Sequence, residues 1–149
     1  MVLLDANVLI YYLDETAEKN TETIKHLQNL VDEQEQLVTS HHVIEEVLFV
    51  LLKIYPEADL VKAVFRISEI PGLILAEPSP HIGFAERYAT LRGKPHMGIN
   101  DALLLQLMLD ADITHLFSYD KQFVSRAVDL GIKQCVSTTR HHNNSVINL

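Results

Sequence analysis

The chain opens on an aliphatic run, Val2-Leu3-Leu4, that stops at Asp5 and gives way after Asn7 to a second apolar stretch reaching Leu13. The first run reads as a buried strand and residues 7 to 13 as a short helix. From about Thr16 to Gln34 the spacing of Ile24, Leu27, Leu30 and Val31 is helical, with a charged opposite face. Leu37-Val38-Thr39 is a second strand. Ser40 then precedes a helix from about His41 to Ile54, whose stripe is Val43, Val47, Val50, Leu51 and Ile54; Tyr55-Pro56 ends it.

Beyond this point the spacing predicts a helix over 57–69, a strand at Leu73-Ile74-Leu75 after the Pro71-Gly72 break, and a helix over 81–91. Residues 92–98, with two Gly and a Pro, read as a loop. Residues 101–109 are apolar almost all round, as in a helix enclosed by protein. A strand over 114–119, a helix over 120–130 closed by Gly131 and a last strand over 133–137 complete the pattern. Short strands alternating with helices call for an α/β fold, a parallel sheet covered on both faces. Ligands of such folds bind outside the carboxyl ends of the strands, the edge where Asp5 and Asp120 fall.

Composition narrows this to one domain. At 149 residues and 48% hydrophobic, residues 1–149 form a single unit with a core of its own and a polar, flexible tail from about residue 140. No basic and apolar leader pattern opens the sequence, and no apolar run nears the roughly 18 residues that span a bilayer. The expectation is a soluble, cytoplasmic protein with no membrane partner. Cys135 is the only cysteine, so neither an intrachain disulfide nor a thiolate zinc cluster is available. The net charge of −8 argues against holding nucleic acid through bulk positive charge. It leaves open a cluster of carboxylates gathered to hold cations.

Taken singly, Asp5, Asp101 and Asp120 are each explained as helix N-terminal residues, whose carboxylate caps backbone N–H groups for about 1 kcal/mol. Glu46 is different. On a helical wheel it lies about 60° from Val43 and about 40° from Val50, whereas Glu45 points about 100° away toward solvent. An inward-facing carboxylate with no Lys or Arg placed beside it is costly. Two carboxylates about 4 Å apart repel by about 4 kcal/mol at an effective dielectric of about 20, so four that converge require a cation. An all-oxygen donor set suits Mg²⁺ or Mn²⁺, which activate water and stabilise a leaving oxygen in phosphoryl chemistry.

Four stretches, LLDANVLI, VIEEVLFVL, GINDALLLQLML and LFSYDKQF, together resemble the PIN domain family and, within it, the VapC-like toxin ribonucleases. They follow the family's order from residue 2 to about 125. The resemblance implies a three-layer α/β/α sandwich with a central parallel sheet. It implies a Mg²⁺- or Mn²⁺-dependent endoribonuclease acting on an RNA substrate, the toxin of a toxin–antitoxin pair, with Asp5, Glu46, Asp101 and Asp120 as catalytic and metal-holding residues. Asn7 and Ser118 match family positions beside those acids, where Asn7 would fix Asp5 by a hydrogen bond and the Ser118 hydroxyl would orient a carboxylate or water. A small antitoxin protein and a second copy of the chain are the implied partners.

Arg92, Lys94, His96 and Lys121, with Arg126, are candidates for contacting substrate phosphates, set against an ordinary solubilising role. The adjacent pairs His41-His42 and His141-His142 diverge by about 100° on a helix and make no natural chelate. A haloacid-dehalogenase-like phosphatase also begins with a strand ending on Asp, but needs a second Asp where Asn7 stands. A receiver-type domain needs an acidic pair where Asp5 is single. A catalytically silent PIN-like binding module is the non-enzyme alternative.

Overall fold

The computed structural model describes residues 1–57, 59–77 and 98–135. Its five strands are β1 (Val2–Leu4), β2 (Leu37–Thr39), β3 (Leu73–Leu75), β4 (His115–Phe117) and β5 (Lys133–Gln134). All pairings are parallel, in the order β3-β2-β1-β4-β5. Val2, Leu3 and Leu4 point alternately to opposite faces of the sheet, yet all three are fully buried. Both faces are therefore covered, as a parallel sheet requires, and the fold is the expected α/β one with a central parallel sheet.

The helices among the described residues are α1 (Ala6–Leu13), α2 (Asn20–Asp32), α3 (His41–Ile54), α4 (Leu60–Ser68), α5 (Ile99–Asp110) and α6 (Lys121–Asp129). Three starts shift for local reasons. The Asp14 carboxylate accepts the Thr16 N–H at 3.0 Å and its hydroxyl at 2.7 Å, a turn that delays α2 to Asn20. Asp59 accepts the Lys62 N–H at 3.0 Å and sets the start of α4 three residues after the expected one. Gly98 begins α5, so Asp101 lies inside its first turn rather than at its end.

The expected stripes hold at their centres and fail at their edges. Val43, Val47 and Leu51 of α3 are buried, but Ile54 is 52% exposed. On α2, Leu27 and Leu30 are buried with Thr23 and His26, whereas Ile24 is 42% exposed. The buried face of α2 is thus rotated toward polar residues that have partners. The Thr23 hydroxyl lies 2.8 Å from the Tyr119 hydroxyl, and the His26 ring packs 4.3 Å from that of Phe117. Burial holds the His26 pKa below its ordinary value.

Strands β4 and β5 are shorter than the expected 114–119 and 133–137. The chain leaves the sheet after Phe117 because the next backbone N–H groups bond to side chains at the sheet edge. Gly131, at φ +85°, closes α6 in a conformation that favours glycine. No helix among the described residues is long and apolar enough to cross a membrane. The expected helix 81–91, residues 92–97 of the loop and the polar tail lie outside the described residues.

Candidate active site

Strand β1 delivers Asp5 to the carboxyl edge of the sheet, where it is the N-cap of α1. Its Oδ1 accepts the Ala6 N–H at 2.7 Å. Its Oδ2 accepts from Asn7 Nδ2 at 2.7 Å and from the Ser118 hydroxyl at 2.6 Å. The neighbouring register Leu4–Phe117 makes the last contact possible, because it brings the two following residues, Asp5 and Ser118, side by side. Ser118 Oγ also accepts from Asn7 Nδ2 at 3.2 Å and from the Asp120 N–H at 3.0 Å, so its one proton and two lone pairs are all used. Asn7 Oδ1 accepts the Tyr119 N–H at 3.0 Å, which fixes the amide with its NH₂ toward Asp5. Capping and clamping therefore coexist at Asp5.

Asp5 is 9% exposed, and its pKa is pushed up to about 6. Burial is the largest cause; the Ser118 and Ala6 hydrogen bonds pull the other way, and the charges of Glu46 and Asp101 raise it further. Asp101 is also raised, first by burial and then by Asp120 and Glu46, against the opposing pull of Arg126. These couplings run among the four acids picked out in the sequence. All four line one cleft of about 410 Å³, with Asn7 and Asn100 beside them.

Glu46 occupies the half-buried margin of α3 and accepts from Asn100 Nδ2 at 3.1 Å. Glu45 is exposed and faces His42 Nδ1 at 3.4 Å, as the wheel expects. Asp120 caps α6 through Oδ1 alone, accepting the N–H groups of Gln122 at 2.8 Å and Phe123 at 3.1 Å. Asp101 Oδ2 accepts from Arg126 Nη1 at 3.3 Å. Asn100 and Arg126 are the site neighbours that the sequence reading did not assign to the acids. Their only advance signal was position: Asn100 precedes Asp101, and Arg126 lies near two turns after Asp120.

Other candidates are placed elsewhere. Lys121 lines a separate hollow of about 220 Å³ with Lys19, His26 and Tyr119, rather than the acid cleft. His41 contacts Glu77 while His42 turns to Glu45, so that pair diverges as expected. Arg92, Lys94, His96 and the His141-His142 pair lie outside the described residues.

Among the described residues, no three His, Cys, Asp or Glu side chains stand close enough together to hold an ion as placed. The chemistry of the donor set nevertheless fits a hard divalent cation. The donors are carboxylate oxygens, they share one cleft, and burial, joined by their mutual repulsion, raises two of their pKa values. Ser118→Ala removes a donor to Asp5 and an acceptor for Asp120 in one step. The expected outcome is a loss of about 10- to 100-fold in cation affinity or in a cation-dependent activity, with little change in the fold. A Mn²⁺ titration of both proteins checks it.

The PIN domain family model matches residues 2–128. Among solved structures, the chain is similar to VapC20 of Mycobacterium tuberculosis, a sarcin-ricin loop cleaving toxin, at 14% identity and a TM-score of 0.66, over 85% of this chain and 95% of that one. It is similar to VapBC2 of Rickettsia felis, bound to a DNA fragment from the promoter, at 16% and 0.66, over 91% and 98% of the two chains. VapBC-1 of nontypeable Haemophilus influenzae aligns at 16% and 0.59, over 91% and 97%. At these identities the likeness is one of fold. No curated protein matches by sequence.

Proposed function

The chain belongs to the PIN domain family, and from that premise we propose that it is a metal-dependent endoribonuclease that hydrolyses RNA phosphodiester bonds, the toxin of a toxin–antitoxin pair. The observation that carries this reading is the cleft lined by Asp5, Glu46, Asp101 and Asp120, with Asp5 clamped by Asn7 and Ser118. The similarity to VapC20 and to two VapBC complexes supports the same class.

In this reading the four acids hold Mg²⁺ or Mn²⁺. When bound, the cation supplies Lewis-acid stabilisation of charge on the phosphodiester and acidifies water for attack on phosphorus. The chain's own residues prepare the cleft. Asn7 and Ser118 hold Asp5 Oδ2, Asn100 holds Glu46, and the Asp120 cap fixes that carboxylate at the start of α6. Arg92, Lys94 and His96 are the proposed phosphate contacts at the cleft, with Lys121 a proposed contact farther along the RNA from its separate hollow, and the compartment is the cytoplasm.

A small antitoxin and a second copy of the chain are the proposed partners. Exposed Phe49 on α3 and exposed Val61 and Phe65 on the adjoining α4 support a protein partner, because apolar surface of this kind marks interaction sites. The haloacid-dehalogenase-like alternative is disfavoured by Asn7, whose amide is committed to Asp5, Ser118 and Tyr119 and has no proton to give a leaving group.

The test is incubation of the protein with a pool of cellular RNAs in Mg²⁺, in Mn²⁺ and in chelator. Cleavage with either cation and none in chelator is the expected result. Intact RNA under every condition, with a protein partner still retained by variants of all four acids, would instead establish the silent binding module.

A further inference from the structure

Arg126 is a cation that, among the described residues, the fold places against an acid of the cleft. It lies on α6, its side chain is only 12% exposed, and its Nη1 donates to Asp101 Oδ2 across 3.3 Å, a contact between residues 25 apart in the chain. It is not among the residues that line the cleft. A bare phosphate-binding role would instead present the guanidinium to the opening.

We propose that Arg126 is a resident counter-ion of the cleft, which holds Asp101 in place in the cation-free protein and lowers the affinity of the four acids for a divalent cation. This rests on the reading of the cleft as a cation site. Arg126 is then a positioning residue that sets how much free cation is needed to switch the site on. Arg126 acts on cation binding in two opposing ways. Fixing the Asp101 side chain favours cation binding modestly, because less rotamer freedom is lost on loading. Repulsion between a guanidinium and a dication one carboxylate apart is larger. Even in a medium as polar as water it amounts to about a tenfold change in Kd.

The two effects differ in sign, which makes the test decisive. A residue that only supports the site weakens cation binding when it is removed. Arg126 removed as proposed strengthens it. Mn²⁺ binding is measured by calorimetry and by the loss of the free-ion electron paramagnetic resonance signal, for the wild type, Arg126→Gln, Arg126→Met and Arg126→Lys, each checked by circular dichroism. The expected result is a Kd lower by about tenfold in the Gln and Met variants and within about twofold of wild type in the Lys variant, which keeps the charge.

An unchanged or weaker Kd in whichever neutral variant folds overturns the proposal. So does failure of both to fold, which makes Arg126 a structural residue. A wild type that binds no Mn²⁺ or cleaves no RNA brings down the nuclease reading itself. A wild type that does both, with neutral variants no tighter, brings down the Arg126 assignment alone.

Discussion

Asp5→Asn and Asp101→Asn are each expected to reduce Mn²⁺-dependent RNA cleavage by about 10³-fold or more, a loss equivalent to about 4 kcal/mol of transition-state stabilisation. An amide keeps the size of the carboxylate and removes the charge that draws the cation. The fold should survive both changes. In Asp5→Asn the side-chain oxygen still accepts the Ala6 N–H, while the new NH₂ faces the Ser118 hydroxyl, whose lone pairs are already used and whose proton loses its acceptor. Asn7 loses one acceptor, at a cost of about 1–3 kcal/mol, and the loss of a buried charge offsets that cost. In Asp101→Asn the amide oxygen remains available to Arg126. Cleavage assays paired with circular dichroism check the prediction. Full Mn²⁺-dependent activity in both folded variants would remove the assignment of these acids as cation ligands.

The second large effect is on stability, and its sign follows from Asp5. Its pKa is 3.8 as the ordinary value and about 6 in the folded chain. The folded state therefore holds the proton more tightly than the unfolded state. Well below pH 3.8 both states are protonated and the group costs nothing. As pH rises through 3.8 toward 6 the unfolded chain releases its proton first, and folding loses stability, about 3 kcal/mol in all once the pH exceeds 6. On the proposed reading, a divalent cation bound by the ionised cleft would reverse this loss. The rise in Tm on replacing chelator with Mn²⁺ should thus be distinctly larger at pH 7.5 than at pH 5. Equal rises at the two pH values would show that Asp5 ionisation is not coupled to the cation. Exposed carboxylates with lowered pKa values, such as Asp14 and Glu77, act in the opposite direction. Comparing chelated and Mn²⁺-loaded protein at each pH cancels their contribution.

Several features of this protein were fixed by local sequence. The periodicities of 2 and 3.6 residues mark which face of an element is apolar, and so the alternation of strands and helices, the parallel sheet and its buried centre were legible. The same geometry separated Glu46 from Glu45, because one residue on a helix is a rotation of about 100°. Caps at Asp5, Ser40 and Asp120 were legible too, since a cap bonds within three residues of itself. Stripe edges were not. Ile24 and Ile54 are as apolar as their buried neighbours, and their exposure depends on where the next layer ends.

What tertiary structure decided is the company that each acid keeps. Asp5 meets Ser118 across 113 residues because β1 and β4 pair in the register Leu4–Phe117, and a slip of one residue would turn Ser118 to the other face. Asp101 meets Arg126 across 25 residues of chain, from α5 to α6, and Lys121, five residues from Arg126, falls into a different hollow. No local spacing encodes these pairings. Sequence fixed the carboxylates and the elements that carry them. Sheet register and helix packing fixed their burial, their partners and therefore their charge, because proton affinity depends on groups brought close only when the chain folds.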